Sequence, residues 1–136
     1  MAYEKPLPVL NEESRPFWEG CKRHALVLQH CEDCGAVIYY PRALCTACHS
    51  ARLAWRPVSG AGSIYSFTVC HRPAGPAFKD DTPYVVALID LKEGARLLSN
   101  IVTDDPGSVR IGQAVRVVFD DVTDEITLPK FQVVHP

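Results

Sequence analysis

The sequence predicts a mainly β chain in three consecutive pieces: an N-terminal helical segment, a small metal ribbon and a five-stranded barrel. Three observations carry this expectation. Two C-x-x-C pairs, Cys31/Cys34 and Cys45/Cys48, stand ten residues apart. Five stretches beyond Gly60 alternate or run apolar with Val, Ile, Phe and Tyr, the composition of half-buried strands. Before the cysteines, one short stretch carries apolar residues at helical spacing. The pieces are placed at residues 1–24 (arm and helix), 25–58 (ribbon) and 59–136 (barrel).

The arm contains Pro6 and Pro8. From Asn11 to His24, the residues Phe17, Trp18 and Cys21 fall at i, i+1 and i+4, on one helix face. Ser14 is expected to cap this helix, with Pro16 in the first turn, where a missing N–H costs nothing. The helix is expected to lie on the rest of the chain, the adjacent aromatics Phe17 and Trp18 offering a second use as a partner contact.

From Ala25 to Trp55 the pattern changes to short apolar pieces, ALVLQH and AVIYY, broken by the cysteine pairs and Pro41. Two thiolates three positions apart in a tight turn reach one ion, and two such knuckles complete a tetrahedron with Zn–S bonds of about 2.3 Å. Gly35, directly after the first pair, suits the left-handed backbone that a knuckle needs, and His49 holds the corresponding place after the second. A redox C-x-x-C pair is disfavoured by the presence of two pairs without a βαβ pattern, and an iron site of similar form is the lesser alternative. One structural zinc is the reading. Four sulfur ligands leave no open coordination position, so such an ion holds structure and does not activate water.

The strands are placed at Ser63 to Arg72, Tyr84 to Leu91, Ala95 to Thr103, Ala114 to Asp120 and Pro129 to His135, with a tight hairpin at Lys92-Glu93-Gly94. Five short strands with a longer connection between the third and fourth fit an OB-type Greek-key barrel. At 136 residues and 47% hydrophobic composition the chain can bury a core without disulfides. Its longest apolar run is Tyr84 to Ile89, and the N-terminus lacks a basic segment followed by an apolar one. A cytoplasmic chain without a membrane span is therefore expected.

Net charge is −2, unevenly spread. Residues 15–79 hold eight Lys and Arg against three Asp and Glu, whereas residues 80–136 hold five against ten. That balance suits a modest anionic ligand better than a nucleic-acid polymer, whose binding rests on neutralising many phosphates. No self-sufficient active site emerges. Cys70 and His71 are adjacent in a strand and face opposite sides. Cys21 and His24 could meet on the helix, but the local sequence supplies no third group or oxyanion hole. The doublets Asp80-Asp81, Asp104-Asp105 and Asp120-Asp121 read as solvated turn carboxylates. Ser59-Gly60-Ala61-Gly62-Ser63 leads into a strand and is no phosphate loop.

The segment FWEGCKRHALVLQHCEDCGAVIYYPRALCTACHS, followed by WRPVSGAGSIYSFTV and by PYVVALIDLKEGARLLSNIV with IGQAVRVVF, resembles one specific family. Its members join an N-terminal helical segment, a rubredoxin-like zinc ribbon and an OB fold; long catalogued as a domain of unknown function, they are described as acyl-CoA-associated. The resemblance covers residues 10 to 135, with His49 standing where Gly is common. It implies zinc on Cys31, Cys34, Cys45 and Cys48. It also implies an accessory subunit that binds acyl-CoA and joins a thiolase-like enzyme (a thiolase, aldolase, acyltransferase or hydratase) in a hetero-oligomer of lipid metabolism, with little or no catalysis of its own.

CoA offers an anionic nucleotide end and a thin pantetheine arm, so a holder needs a few cations beside a narrow apolar groove. Arg72, Lys79 and Phe78 flank or sit in the first interstrand loop, Pro73 to Pro83, a position that often binds ligands in OB folds, and are the expected CoA contacts. Trp55 and Tyr65 could stack on adenine but fit better as packing between ribbon and barrel. Two rivals remain: a single-stranded nucleic-acid binder, opposed by the charge balance, and a self-contained thioesterase or hydratase, opposed by the missing acid/base pair. A subunit of an enoyl-CoA hydratase complex is a variant of the accessory reading.

Overall fold

The structure, a computed structural model, describes residues 3–135. Helix α1 spans Arg15–Lys22, shorter than the expected Asn11 to His24, because both ends close on themselves. At the start, the Asn11 carboxamide oxygen accepts from the Ser14 N–H at 2.8 Å and the Ser14 hydroxyl accepts from the Asn11 N–H at 3.3 Å. Ser14 stands at the N-cap position, as expected, but its side chain makes no cap bond into the helix; the reciprocal pair instead ties it to Asn11 across the turn that precedes α1. At the end, His24 takes φ 59°. The N–H groups of His24 and Ala25 donate back to Cys21 and Gly20 at 2.9 and 2.8 Å, a Schellman closure.

The ribbon sheet has β1 (Val27–Cys31) between β2 (Val37–Ile38) and β3 (Leu53–Pro57), all antiparallel. Tyr39 and Tyr40 leave the second strand because Gln29, opposite Ile38, holds the backbone of Arg42 through two bonds of 2.7 Å and bends the chain away. Strand β3 carries no strand signal of its own, since Arg52, Arg56 and Pro57 interrupt any alternation. It forms because β1 offers an open edge, and Cys31 to Val27 pair with Leu53 to Pro57.

The barrel comprises β4 (Ala61–Cys70), β5 (Tyr84–Leu91), β6 (Arg96–Ile101), β7 (Ala114–Asp121) and β8 (Thr127–Val133). It closes in the order β4-β5-β6-β8-β7, with β7 returning to β4, and joins β6 to β8 in parallel at Ile101 and Phe131. This is the predicted five-stranded OB-type barrel. The hairpin after β5 turns on Gly94 at φ 108°, its N–H bonded to Leu91 O at 2.9 Å.

One core serves helix, ribbon strand and barrel. Phe17, Leu26 and Leu28 join Ile64, Val85, Ile89, Val115 and Phe131 in a single buried cluster. Phe17 is 2% exposed, so it anchors this core and is not a free partner contact. The metal end of the ribbon has its own small cluster of Cys31, Ile38 and Cys45. The junction is rigidly bonded: Val58 N–H to Leu26 O at 2.8 Å, Ser59 N–H to the Glu93 carboxylate at 2.8 Å, and Val117 N–H to Gly60 O at 2.8 Å. Among the described residues, no helix is long and apolar enough to cross a membrane.

Gly60 sits at φ +78°, where a Cβ would stand 2.3 Å from Val117 Cγ1. Gly60→Ala should therefore combine left-handed strain with overpacking and lower stability by about 2–4 kcal/mol. Urea unfolding measures this; a loss under about 0.5 kcal/mol would mean that the junction relaxes freely.

Candidate metal centre and ligand cleft

The two knuckles are built alike. In the first, Cys31 N–H donates to Ala36 O and Gly35 N–H to Cys31 O, both at 2.9 Å; in the second, Cys45 N–H donates to Ser50 O at 2.8 Å and His49 N–H to Cys45 O at 2.9 Å. Each turn needs a positive φ at its fifth residue, met by Gly35 at 78° and His49 at 63°. A histidine thus reproduces the geometry that glycine supplies in the first knuckle. Cys31 and Cys45 point into the small ribbon core, while Cys34 and Cys48 lie at the surface.

The four sulfurs lie within 4.8 Å of one another, with Cys31–Cys48 at 3.5 Å and Cys34–Cys45 at 3.6 Å. A tetrahedron with Zn–S bonds of about 2.3 Å has edges of about 3.8 Å, so this set fits one four-coordinate ion. Backbone N–H groups point at the sulfurs, among them Ala47 N–H to Cys45 Sγ at 3.3 Å. The N–H of Cys48 helps draw the Cys45 thiol down to about 7. At Cys48 the Ser50 N–H also favours the thiolate, but the crowding sulfurs, Cys31 foremost, push it up to about 12. Four thiolates this close repel one another, and a cation among them removes that repulsion.

The residues expected to meet CoA are only partly gathered. Phe78, on a 3-10 turn at Pro76–Asp81, lines a cleft of about 510 Å³ with Val85, Ile101, Val102 and Leu128. Arg72 and Lys79 are exposed and stand outside its lining. Two other cations line it, Lys5 and Lys130. Lys5 Nζ lies 2.8 Å from Asp81 and 5.7 Å from the Phe78 ring centroid, and the Asp81 carboxylate raises its pKa by hydrogen bonding. Lys130 Nζ lies 2.7 Å from Asp120. Neither was legible beforehand, Lys5 because an irregular arm has no period and Lys130 because nothing in sequence pairs it with a residue ten positions earlier.

Trp55 packs against the shared core, as expected. Tyr65 stands exposed at a bulge in β4, its ring covered by the Arg96 guanidinium at 3.5 Å. Arg96 in turn binds Asp90, whose carboxyl it lowers through that hydrogen bond. Cys21 is fully buried, its thiol pushed up to about 12 by desolvation. His24 turns to the Asp121 carboxylate at 3.0 Å and stacks on Phe119, so no Cys21–His24 pair exists among the described residues. Asp120 and Asp121 also depart from the expected solvated turn. They belong to β7, where Asp121 accepts from Thr127 and His24, and those two bonds, Thr127's first, lower its pKa.

The family model described as "ChsH2, rubredoxin-like zinc ribbon domain" matches residues 18–54, and "ChsH2, C-terminal OB-fold domain" matches residues 55–120. A "DUF35 domain-containing scaffold protein" of Methanothermobacter thermautotrophicus is 41% identical over 86% of this chain and 88% of its own length. A "Probable enoyl-CoA hydratase alpha subunit" of Thermomonospora curvata is 36% identical over 97% of this chain, which spans only 41% of that protein. Among solved structures, a chain of the "Ltp2-ChsH2(DUF35) aldolase" superposes with a TM-score of 0.83 at 35% identity, covering 93% of this chain and 98% of its own.

Proposed function

Because this chain belongs to the DUF35 family of ChsH2-type zinc-ribbon and OB-fold proteins, we propose that it is the accessory subunit of a thiolase-like enzyme. In this reading it binds one structural zinc and helps to hold an acyl-CoA while the partner makes or breaks a C–C bond. The observation that carries the reading is the end-to-end likeness to a chain of the two-named aldolase. The chain's own chemistry agrees. Its metal site has four sulfur ligands and no open position, and its His24–Asp121 pair sits outside the cleft. The zinc would be held by Cys31, Cys34, Cys45 and Cys48, where it fixes the ribbon.

For the thioester, Phe78 and the apolar wall of the cleft suit a pantetheine arm, with Arg72 and Lys79 on the same loop available to its phosphates. The isolated chain should bind a CoA thioester weakly and with salt sensitivity. Arg72→Ala or Lys79→Ala should each cost about 1 kcal/mol, as an exposed charged contact does. A single-stranded oligonucleotide should bind no tighter than about micromolar at physiological salt. Calorimetry with both ligands separates the readings: nanomolar oligonucleotide binding with a steep salt slope would replace this one. The relative described as a hydratase alpha subunit favours a second reading, a partner that hydrates enoyl-CoA. Assaying the complex for both hydration and C–C cleavage distinguishes the two.

A further inference from the structure

We propose that Asp33, Ser50 and Arg52 form a clasp across the two knuckles that positions the exposed half of the metal centre and slows release of the ion. The buried half is held by packing: Cys31 and Cys45 share a cluster with Ile38, and Ala36 and Leu53 lie against it. Cys34 and Cys48 have no such support, since both are at the surface. Asp33 directly precedes Cys34, and Ser50 follows Cys48 by two residues. The Ser50 hydroxyl donates to one Asp33 carboxylate oxygen, and the Arg52 guanidinium donates to the other. The loop that carries one exposed sulfur is thereby tied to the loop that carries the other.

The backbone closes the ring. Arg52 N–H donates to the Ser50 hydroxyl at 3.0 Å, and Glu32 N–H donates to Arg52 O at 2.9 Å. Arg52 also reaches Glu32 at 3.4 Å, and Arg56 approaches the same carboxylate at 3.8 Å. Two arginines thus balance two carboxylates, so the clasp adds no net charge beside four thiolates. A single exposed ion pair contributes little, and Arg52 is 66% exposed. Here one carboxylate takes a hydroxyl and a guanidinium together, and the backbone bonds hold both donors in register. Groups that orient metal ligands in this way commonly change metal affinity 10- to 100-fold.

The clasp rests on the zinc reading, so the experiment begins with elemental analysis of the unmodified full chain. Zinc transfer to a chromophoric chelator is then timed for the unmodified chain, Asp33→Ala, Arg52→Ala, the double variant, Asp33→Asn and Ser50→Ala. Asp33→Ala and Arg52→Ala should each speed release by about tenfold, the double variant no further, and Asp33→Asn should recover part of the loss by still accepting the Ser50 hydroxyl. Denaturant unfolding of the barrel should not move. Release within about twofold of the unmodified rate in Asp33→Ala and Arg52→Ala would overturn the clasp alone; absence of stoichiometric zinc from the unmodified chain would overturn the zinc reading with it. Should the alanine variants not fold, Ser50→Ala, which removes only a hydroxyl, decides: faster release supports the clasp and an unchanged rate overturns it.

Discussion

Cys45→Ser should strip the chain of zinc and melt the metal end of the ribbon while the barrel, and the ribbon strand that shares its core, stay folded. Cys45 is 1% exposed in the small cluster at the metal end, and an alcohol is a far poorer zinc ligand than a thiolate. Structural zinc contributes about 10–16 kcal/mol of apparent binding free energy, as much as the whole stability of a typical domain. The ribbon's metal end has little else to hold it: Ile38 buried beside two cysteines, with Ala36 and Leu53 packed against them. The barrel keeps Ile64, Ile89, Val115 and Phe131 in a separate cluster. Zinc content should fall from one per chain to near zero, and amide exchange should rise around residues 31–50 before it rises in β5. Zinc retention in the unmodified chain should weaken as pH falls, because each ligand must be deprotonated to bind. Substoichiometric metal in protein purified without chelator, with the ribbon still protected, would sink the claim.

The second large effect is expected on a partner. Co-expression with a thiolase-type subunit should yield a stable hetero-oligomer with one copy of this chain per catalytic subunit, burying at least about 1,200 Å². CoA-thioester cleavage or condensation should drop at least roughly tenfold when this chain is omitted, since a misplaced substrate arm costs that much even with the chemistry intact. The nucleophile would come from the partner. Assays of each subunit alone and of both together test this. Full turnover by this chain alone would overturn the accessory role, and a partner indifferent to it would reduce the chain to a passive companion.

The legibility of the site followed the range of its interactions. The four cysteines could be read because a knuckle is local: three residues of spacing bring two sulfurs together, and Gly35 announces the turn. The barrel strands can be read because period-two alternation is also local, and Tyr84–Leu91 has the same bounds in sequence and structure. The strand at Leu53–Pro57 could not, since its reason for forming is the free edge of β1 and its own residues carry no such pattern. Ser14 holds the expected N-cap position, but its hydroxyl accepts from the Asn11 N–H instead of bonding into the helix, because only the path of the chain decides which N–H it meets. Phe17 and Trp18 looked alike as neighbours on one helix, yet Phe17 alone is buried in the shared core.

The chain's own residues determined the three-part order, the four-thiolate ligand set and the strand count of the barrel. Each follows from bonds and periods spanning a few residues. Tertiary structure decided which distant charges meet. Lys5 reached Asp81, His24 reached Asp121, and Asp33 reached Ser50 and Arg52 across the metal centre. It also decided that Lys5 and Lys130, rather than Arg72 and Lys79, line the cleft beside Phe78. Charged side chains are long, carry no period and gain little from any one neighbour in water, so their pairing is settled only after the apolar core has fixed the surfaces from which they extend.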